Sequence, residues 1–451
     1  MKLYCKNENY TLYNGKMQEV LSELEENSID SIITDPPYEL NFMGKGWDNS
    51  GVAFQKETWE YCFRVLKPGG YLLAFGGTRT YHRIACAIED AGFEIRDCIM
   101  WLYGSGFPKS MNIGLAIDKK NGVESQVVGK RSDETLKSMQ RFKEQDGRKH
   151  KENFENIGYI KQSQNEWSGW GTCLKPAYEP IIIARKPFKN SLVDNVIEYG
   201  VGGINIDECR VGEEHFEQQS GTAKSKGKYG DKVWHEKSYD GRFPANVILT
   251  YDDTDKDEVC GGMPDTKGGN RNNTAIRKSE KTSYGYELNI RNEFDDEGSA
   301  ARYFYCAKAS KKDRDEGMDM FEEKQTTDGC IRKNSETARE FGANSALRKN
   351  IHPTVKPVEL MQYLVRLVSP KGATILDCFM GSGSTGKAVM FENRERNANY
   401  HFIGVEMTDE YLPICNARID YALNKYEYDY KKELQEMKEL GQLSLFEEEE
   451  N

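Results

Sequence analysis

No run in this 451-residue sequence approaches 18 apolar residues, so it offers no membrane-spanning helix. Its opening, MKLYCKNENYTLYNG, lacks the apolar stretch that a secretory signal needs, and the expected location is cytoplasmic. The 11 cysteines are scattered, odd in number and never spaced as CxxC. That argues against a disulfide framework and a structural zinc site, and no metal is expected. Positive charge is also short overall, with 62 Lys and Arg against 73 Asp and Glu and a net charge of −11. At first this disfavours a nucleic-acid partner. What is present is enough for a sizeable core, at 37% hydrophobic residues, and enough polar material, at 30% charged, for long surface segments.

The average charge conceals basic islands. Residues 119–161 carry a net +4, 222–242 a net +3, 267–291 a net +4 and 324–349 a net +3, whereas 424–451 carry −5. Any one island is read most simply as a solvated loop. Four of them in polar, Gly-rich segments point to a phosphate-contacting surface.

Two stretches have the pattern of an α/β core. In the first, apolar strands are expected at 31–34, 70–75, 95–103 and 179–184, with helices at 57–66 and 80–91. In the second, helices at 357–368, 384–391 and 409–422 alternate with strands at 374–376 and 400–405. This alternation predicts a parallel, doubly wound sheet. Between them, 189–349 is rich in Gly, Asn, Lys and Ser, with brief apolar runs at 246–250 and 301–307. The plan is one α/β domain split in sequence by a large insertion.

Residues 376–390, LDCFMGSGSTGKAVM, form a glycine loop between strand and helix. Gly381 to Gly386 fits GxGxxG, a weak dinucleotide signal, and also GxxxxGK, where Ala388 stands in place of the magnesium-binding Ser/Thr of a phosphate loop. A third reading uses more residues. Asp377 ends the strand before the glycines, repels a pyrophosphate and suits a cationic ligand such as S-adenosylmethionine (AdoMet). Glu406 ends the next strand, where a carboxylate can accept ribose hydroxyls. At the other end, Asp35-Pro36-Pro37-Tyr38 stops the strand at 31–34. The prolines fix φ and leave no backbone N–H, so carbonyls face outward beside the Asp35 carboxylate. Such a corner can accept both hydrogens of an exocyclic amine, with Tyr38 stacking on the ring.

DPPY followed far downstream by DxFxGSG resembles the amino-group DNA methyltransferases, which act on adenine N6 or cytosine N4. The motif order resembles their β group. The resemblance extends to Lys67–Gly70, Lys175–Pro180 and His352–Pro357, covering about half of the chain. It implies a Rossmann-like AdoMet-dependent sheet with permuted motifs and an inserted target-recognition region. The implied units are a catalytic half at 1–118, a basic insertion at 119–171, a return strand at 172–188, target recognition at 189–349, an AdoMet-binding half at 350–422 and an acidic tail at 423–451.

The resemblance assigns Asp35, Pro36, Pro37 and Tyr38 to catalysis, and Asp377, Phe379, Gly381, Gly383, Thr385, Glu406, Thr354 and Lys356 to the cofactor. A side chain at Gly383 is expected to intrude on AdoMet. Related chains often carry an acid where Lys16 stands, and Asp30 or backbone groups are expected to meet the cofactor's adenine instead. Adenine is favoured over cytosine because the motif begins with Asp. Phe42 and Trp47, in the loop after Tyr38, are candidates for wedging into DNA or stacking as the base flips, and Lys45 for meeting phosphate. The expected partners are double-stranded DNA and, through Gln442–Phe446 (QLSLF), the bacterial replication clamp; a homodimer is also admitted.

Overall fold

The structure is a computed structural model that describes residues 2–40, 46–103, 110–130, 159–223, 232–251, 265–267, 297–308, 312–327 and 345–425, with Met263 and Glu427. Its main sheet is built from β1 (Lys2–Lys6), β2 (Tyr10–Asn14), β3 (Ile29–Thr34), β4 (Leu66–Phe75), β5 (Glu94–Leu102), β6 (Tyr178–Arg185), β7 (Val247–Tyr251), β8 (Tyr305–Lys308), β9 (Thr374–Asp377) and β10 (His401–Glu406). The strand order is β1-β2-β10-β9-β3-β4-β6-β5-β7-β8. All neighbours pair in parallel except β1 with β2 and β6 with both β4 and β5.

Alternation along the strands builds a core on each face. In β4, Tyr71, Leu73 and Phe75 join the cluster of α7 (Val358–Val368), α8 (Ser384–Arg396) and α9 (Leu412–Leu423), while Leu72 and Ala74 join that of α1 (Met17–Glu23), α2 (Lys56–Val65) and α3 (Tyr81–Asp90). The apolar stripes of α2 and α3 bury Trp59, Cys62, Ile84 and Ile88 against the second face. Each large side chain removed from water on either face contributes about 1.5–3 kcal/mol.

The doubly wound sheet was expected; its reversed strand was not. After β5 the chain passes through α4 (Ile113–Asn121) and returns with Tyr178 paired to Leu102, at the edge it had left. A same-edge return must run antiparallel. The start of β6, rather than its end, therefore lies at the carboxyl edge of the parallel strands. A second difference concerns 189–349. This segment is not wholly separate from the catalytic sheet, because β7 and β8 extend that sheet. α5 (Leu192–Tyr199) is stitched to it as well, through Asn195 Nδ2 donating to the Pro68 carbonyl at 3.0 Å. Between α5 and β7, an antiparallel hairpin pairs Val211–Ala223 with Lys232–Arg242 across the basic island at 222–242.

Candidate active site

The ends of β2, β3, β4, β9 and β10 converge on one cleft of 1320 Å³. This is the carboxyl edge, where strand ends and loop backbones are free to meet a ligand. Asp35, Pro36, Pro37 and Tyr38 line it from β3, Gly77 from β4, Asp377 and Phe379 from β9, and Glu406 from β10.

At the β3 corner, Lys356 Nζ lies 2.8 Å from Asp35 Oδ2 and 3.1 Å from Glu179 Oε2. It also donates to the Tyr38 hydroxyl at 3.1 Å, and that hydroxyl donates to Glu179 Oε2 at 2.7 Å. Lys356 is 8% exposed. Burial opposes its charge, but the carboxylates of Asp35 and Glu179 outweigh that cost and hold the ammonium above the ordinary lysine value. Burial, with the same two acids, pushes the Tyr38 phenol well above 10, so it stays neutral. Asp35 Oδ1 is buried and has no hydrogen-bond partner among the described residues. An unpartnered buried acceptor is costly.

Among the described residues, the β9–β10 side contains no such cation. Asp377 Oδ1 accepts from Thr34 Oγ1 at 2.7 Å and from the Phe379 N–H at 3.1 Å, and Oδ2 accepts from Thr385 Oγ1 at 2.6 Å. Burial raises its carboxyl to about 6, against the lowering effect of those bonds. Glu406 Oε2 accepts from the Gly381 N–H at 2.9 Å and Oε1 from the Thr408 N–H at 2.7 Å, and its carboxyl too is raised by burial. Among the described residues no buried lysine or arginine pairs with either acid, and each retains spare lone pairs.

The glycine turn is tight. Gly381 has φ +56°, and a Cβ there would lie 2.9 Å from His352 Nε2. His352 Nδ1 sits 2.5 Å from the Thr354 carbonyl, which can only accept, so Nδ1 carries the hydrogen and Nε2 is an acceptor. Burial pushes this imidazole down to about 3 and keeps it neutral.

Three expectations change. Gly383 is not among the cleft-lining residues; its φ is +74° and a Cβ would meet Cys415 Cα of α9 at 3.0 Å, so it serves loop–helix packing and not ligand clearance. Asp30 also lies outside the cleft lining. It pairs with Lys67 Nζ at 2.6 Å and accepts from the Thr374 N–H at 2.7 Å, tying β3 to β9. Lys356 and Thr354 do line the cleft, but the Lys356 ammonium is committed to Asp35. Thr385 and Phe379 lie with Asp377.

Sequence reasoning passed over Glu179 and His352. Both stand in segments noted for their resemblance, and a charged residue at the start of PIIIA, an otherwise apolar strand, was the available signal for Glu179. Phe42, Lys45, the Trp47 side chain and Gln442–Phe446 lie outside the described residues, as do 131–158, 268–296 and 328–344 of the basic islands.

A family profile described as DNA methylase, of the N6 and N4 type, matches residues 29–417. The chain belongs to this DNA methylase family. The family's methyl donor is AdoMet, and the anionic seat of Asp377 and Glu406 fits its positive charge. Among curated relatives, the chain is 22% identical over 236 residues to the type II methyltransferase M.HindIII of Haemophilus influenzae, covering 43% of this chain and 64% of that one. It is 40% identical over 99 residues to M.HpaI of Haemophilus parainfluenzae, covering 20% of this chain and 31% of that one. The methylase thus spans less than two thirds of either relative. The crystal structure of PvuII DNA methyltransferase, titled cytosine-N4-specific, aligns over 92% of this chain and 93% of its own at 12% identity, with a TM-score of 0.38. Among the described residues no helix is long and apolar enough to cross a membrane, and no His, Cys, Asp and Glu cluster has the makings of a metal site.

Proposed function

We propose that the chain transfers a methyl group from AdoMet to the exocyclic amine of a base flipped out of double-stranded DNA, adenine N6 in preference to cytosine N4, as a β-group enzyme of a restriction–modification system. The observation that carries this reading is Asp35, whose Oδ1 has no partner among the described residues, lining the same cleft as Asp377 and Glu406. Asp377 and Glu406, with the Gly381 turn and Thr385, would hold AdoMet, which supplies an electrophilic methyl on a sulfonium that leaves as a neutral thioether.

The chain's own part is orientation and charge. Asp35 Oδ1 accepts one N–H of the target amine, and the outward carbonyls of the two-proline turn accept the other. Both bonds draw the lone pair out of the ring and aim it at the methyl carbon. Lys356 pins Asp35 through Oδ2, so the free oxygen is presented in one orientation. Adenine is preferred on the motif's leading Asp. Target recognition is assigned to 189–349, whose hairpin carries basic residues suited to phosphate.

Sequencing DNA from cells that express the chain, with detection of modified bases, gives base and site together. N6-methyladenine at a fixed sequence is expected. N4-methylcytosine there would replace the base assignment, and DNA free of both would overturn the function.

A further inference from the structure

The Asp35 corner holds two carboxylates and one ammonium. We propose that Glu179, acting through Lys356 and Tyr38, is a positioning residue that leaves this corner one negative charge in excess and keeps protein donors off Asp35 Oδ1; this rests on the methyl-transfer reading above.

Two requirements conflict at Asp35. A lone buried carboxylate is expensive, and a lysine against it removes that expense. A one-to-one pair, however, is neutral as a unit. As the amine's lone pair forms the new N–C bond and the C–S electron pair goes to sulfur, the nitrogen turns cationic until an N–H proton passes to solvent. A neutral pair gives that nitrogen little electrostatic help. A second carboxylate on the far side of the same ammonium resolves the conflict. Lys356 is shared at 2.8 Å with Asp35 and 3.1 Å with Glu179, so the unit of three keeps a net negative charge.

Glu179 has a second effect. The Tyr38 hydroxyl owns a single hydrogen, and it is given to Glu179 at 2.7 Å. That hydrogen is therefore withheld from Asp35 Oδ1, which remains unpartnered. The cation is held in place from the side by the rings of Phe75 at 4.9 Å and Tyr38 at 5.3 Å, so it cannot swing fully to one acid. Glu179 reaches this position because β6 is reversed and begins at the cleft.

The test compares the purified parent with Glu179→Gln and Glu179→Asp. Single-turnover methyl transfer is measured on a DNA fragment that the parent methylates, alongside AdoMet and DNA dissociation constants and melting temperature. Glu179→Gln keeps the shape but removes the charge. It is expected to slow the transfer step about 10- to 100-fold while both dissociation constants stay within about threefold of the parent. Glu179→Asp keeps the charge and is expected to recover most of the rate. The proposal is overturned if Glu179→Gln transfers at the parent's rate. It is equally overturned if both variants lose rate together with binding and melting temperature, which marks a merely structural residue. A parent that methylates no DNA at all would instead defeat the underlying function, a result visible before any variant is made.

Discussion

Among the described residues, Asp35 on the β3–β4 side of the cleft is met by a buried ammonium and left with one bare oxygen; on the β9–β10 side, Asp377 and Glu406 are met by hydroxyls and backbone N–H groups. The first arrangement pairs a carboxylate with a cation and leaves one of its oxygens without a hydrogen-bond donor. The second stabilises two acids by dipoles, and burial drives their carboxyls upward. On the proposed reading, one side offers an acceptor for a neutral amine and the other a seat for a cation. The asymmetry matches a reaction in which a neutral nucleophile meets a charged donor.

The contrast can be broken most forcefully at its first half. Asp35→Ala removes the bare oxygen and leaves Asp377 and Glu406 untouched. Methyl transfer should fall by about a thousandfold, with AdoMet affinity changed less than about threefold, as read by label incorporation and calorimetry. A collapse of AdoMet binding would show that the two sides are not separable.

The second half has its own signature in pH. Asp377 stands at about 6 instead of its ordinary 3.8. Between those values the folded chain holds a proton that the unfolded chain has released, so without ligand its stability contribution falls as pH rises through that window. A cation needs the ionised form, so AdoMet affinity should rise about tenfold per unit as pH climbs toward 6 and level off above it. Calorimetry in buffers of different ionisation enthalpy should record proton release on binding near pH 6. A flat affinity from pH 5 to 8 would remove Asp377 from the seat.

Two smaller effects sharpen the boundary of the site. Gly383→Ala forces a side chain onto φ +74° with a close approach to Cys415, and should cost about 1–3 kcal/mol in urea unfolding. Asp30→Asn loses the ion pair with Lys67 and should cost about 1 kcal/mol, with AdoMet affinity within about twofold of the parent. A large affinity loss at Asp30 would restore it to the cofactor.

Legibility in the sequence followed locality. Asp35 and Asp377 could be singled out because each ends an apolar run and is followed by prolines or glycines, features contained within ten residues. The strand at 70–75 and the helix at 357–368 were found to within a few residues for the same reason. Asp30 was misassigned because its partners, Lys67 and Thr374, are 37 and 344 residues away. The reversal of β6 was hidden because a strand's direction depends on the edge at which the chain returns, and EPIIIA reads the same either way. Joining Glu179 to Lys356 required that reversal.

The strand order carries a consequence for how the molecule is made. β9 and β10, late in the sequence, lie between β2 and β3, which come within its first 34 residues. During synthesis the early strands therefore emerge with a two-strand vacancy between them, and their inner edges have no partner until residues 374–406 leave the ribosome. Such non-local closure is slow and exposes unpaired edges to aggregation in the interim. The same late event brings Asp377 and Glu406 up to Asp35, so that nascent chains stopped short of β9 should be aggregation-prone and catalytically silent together.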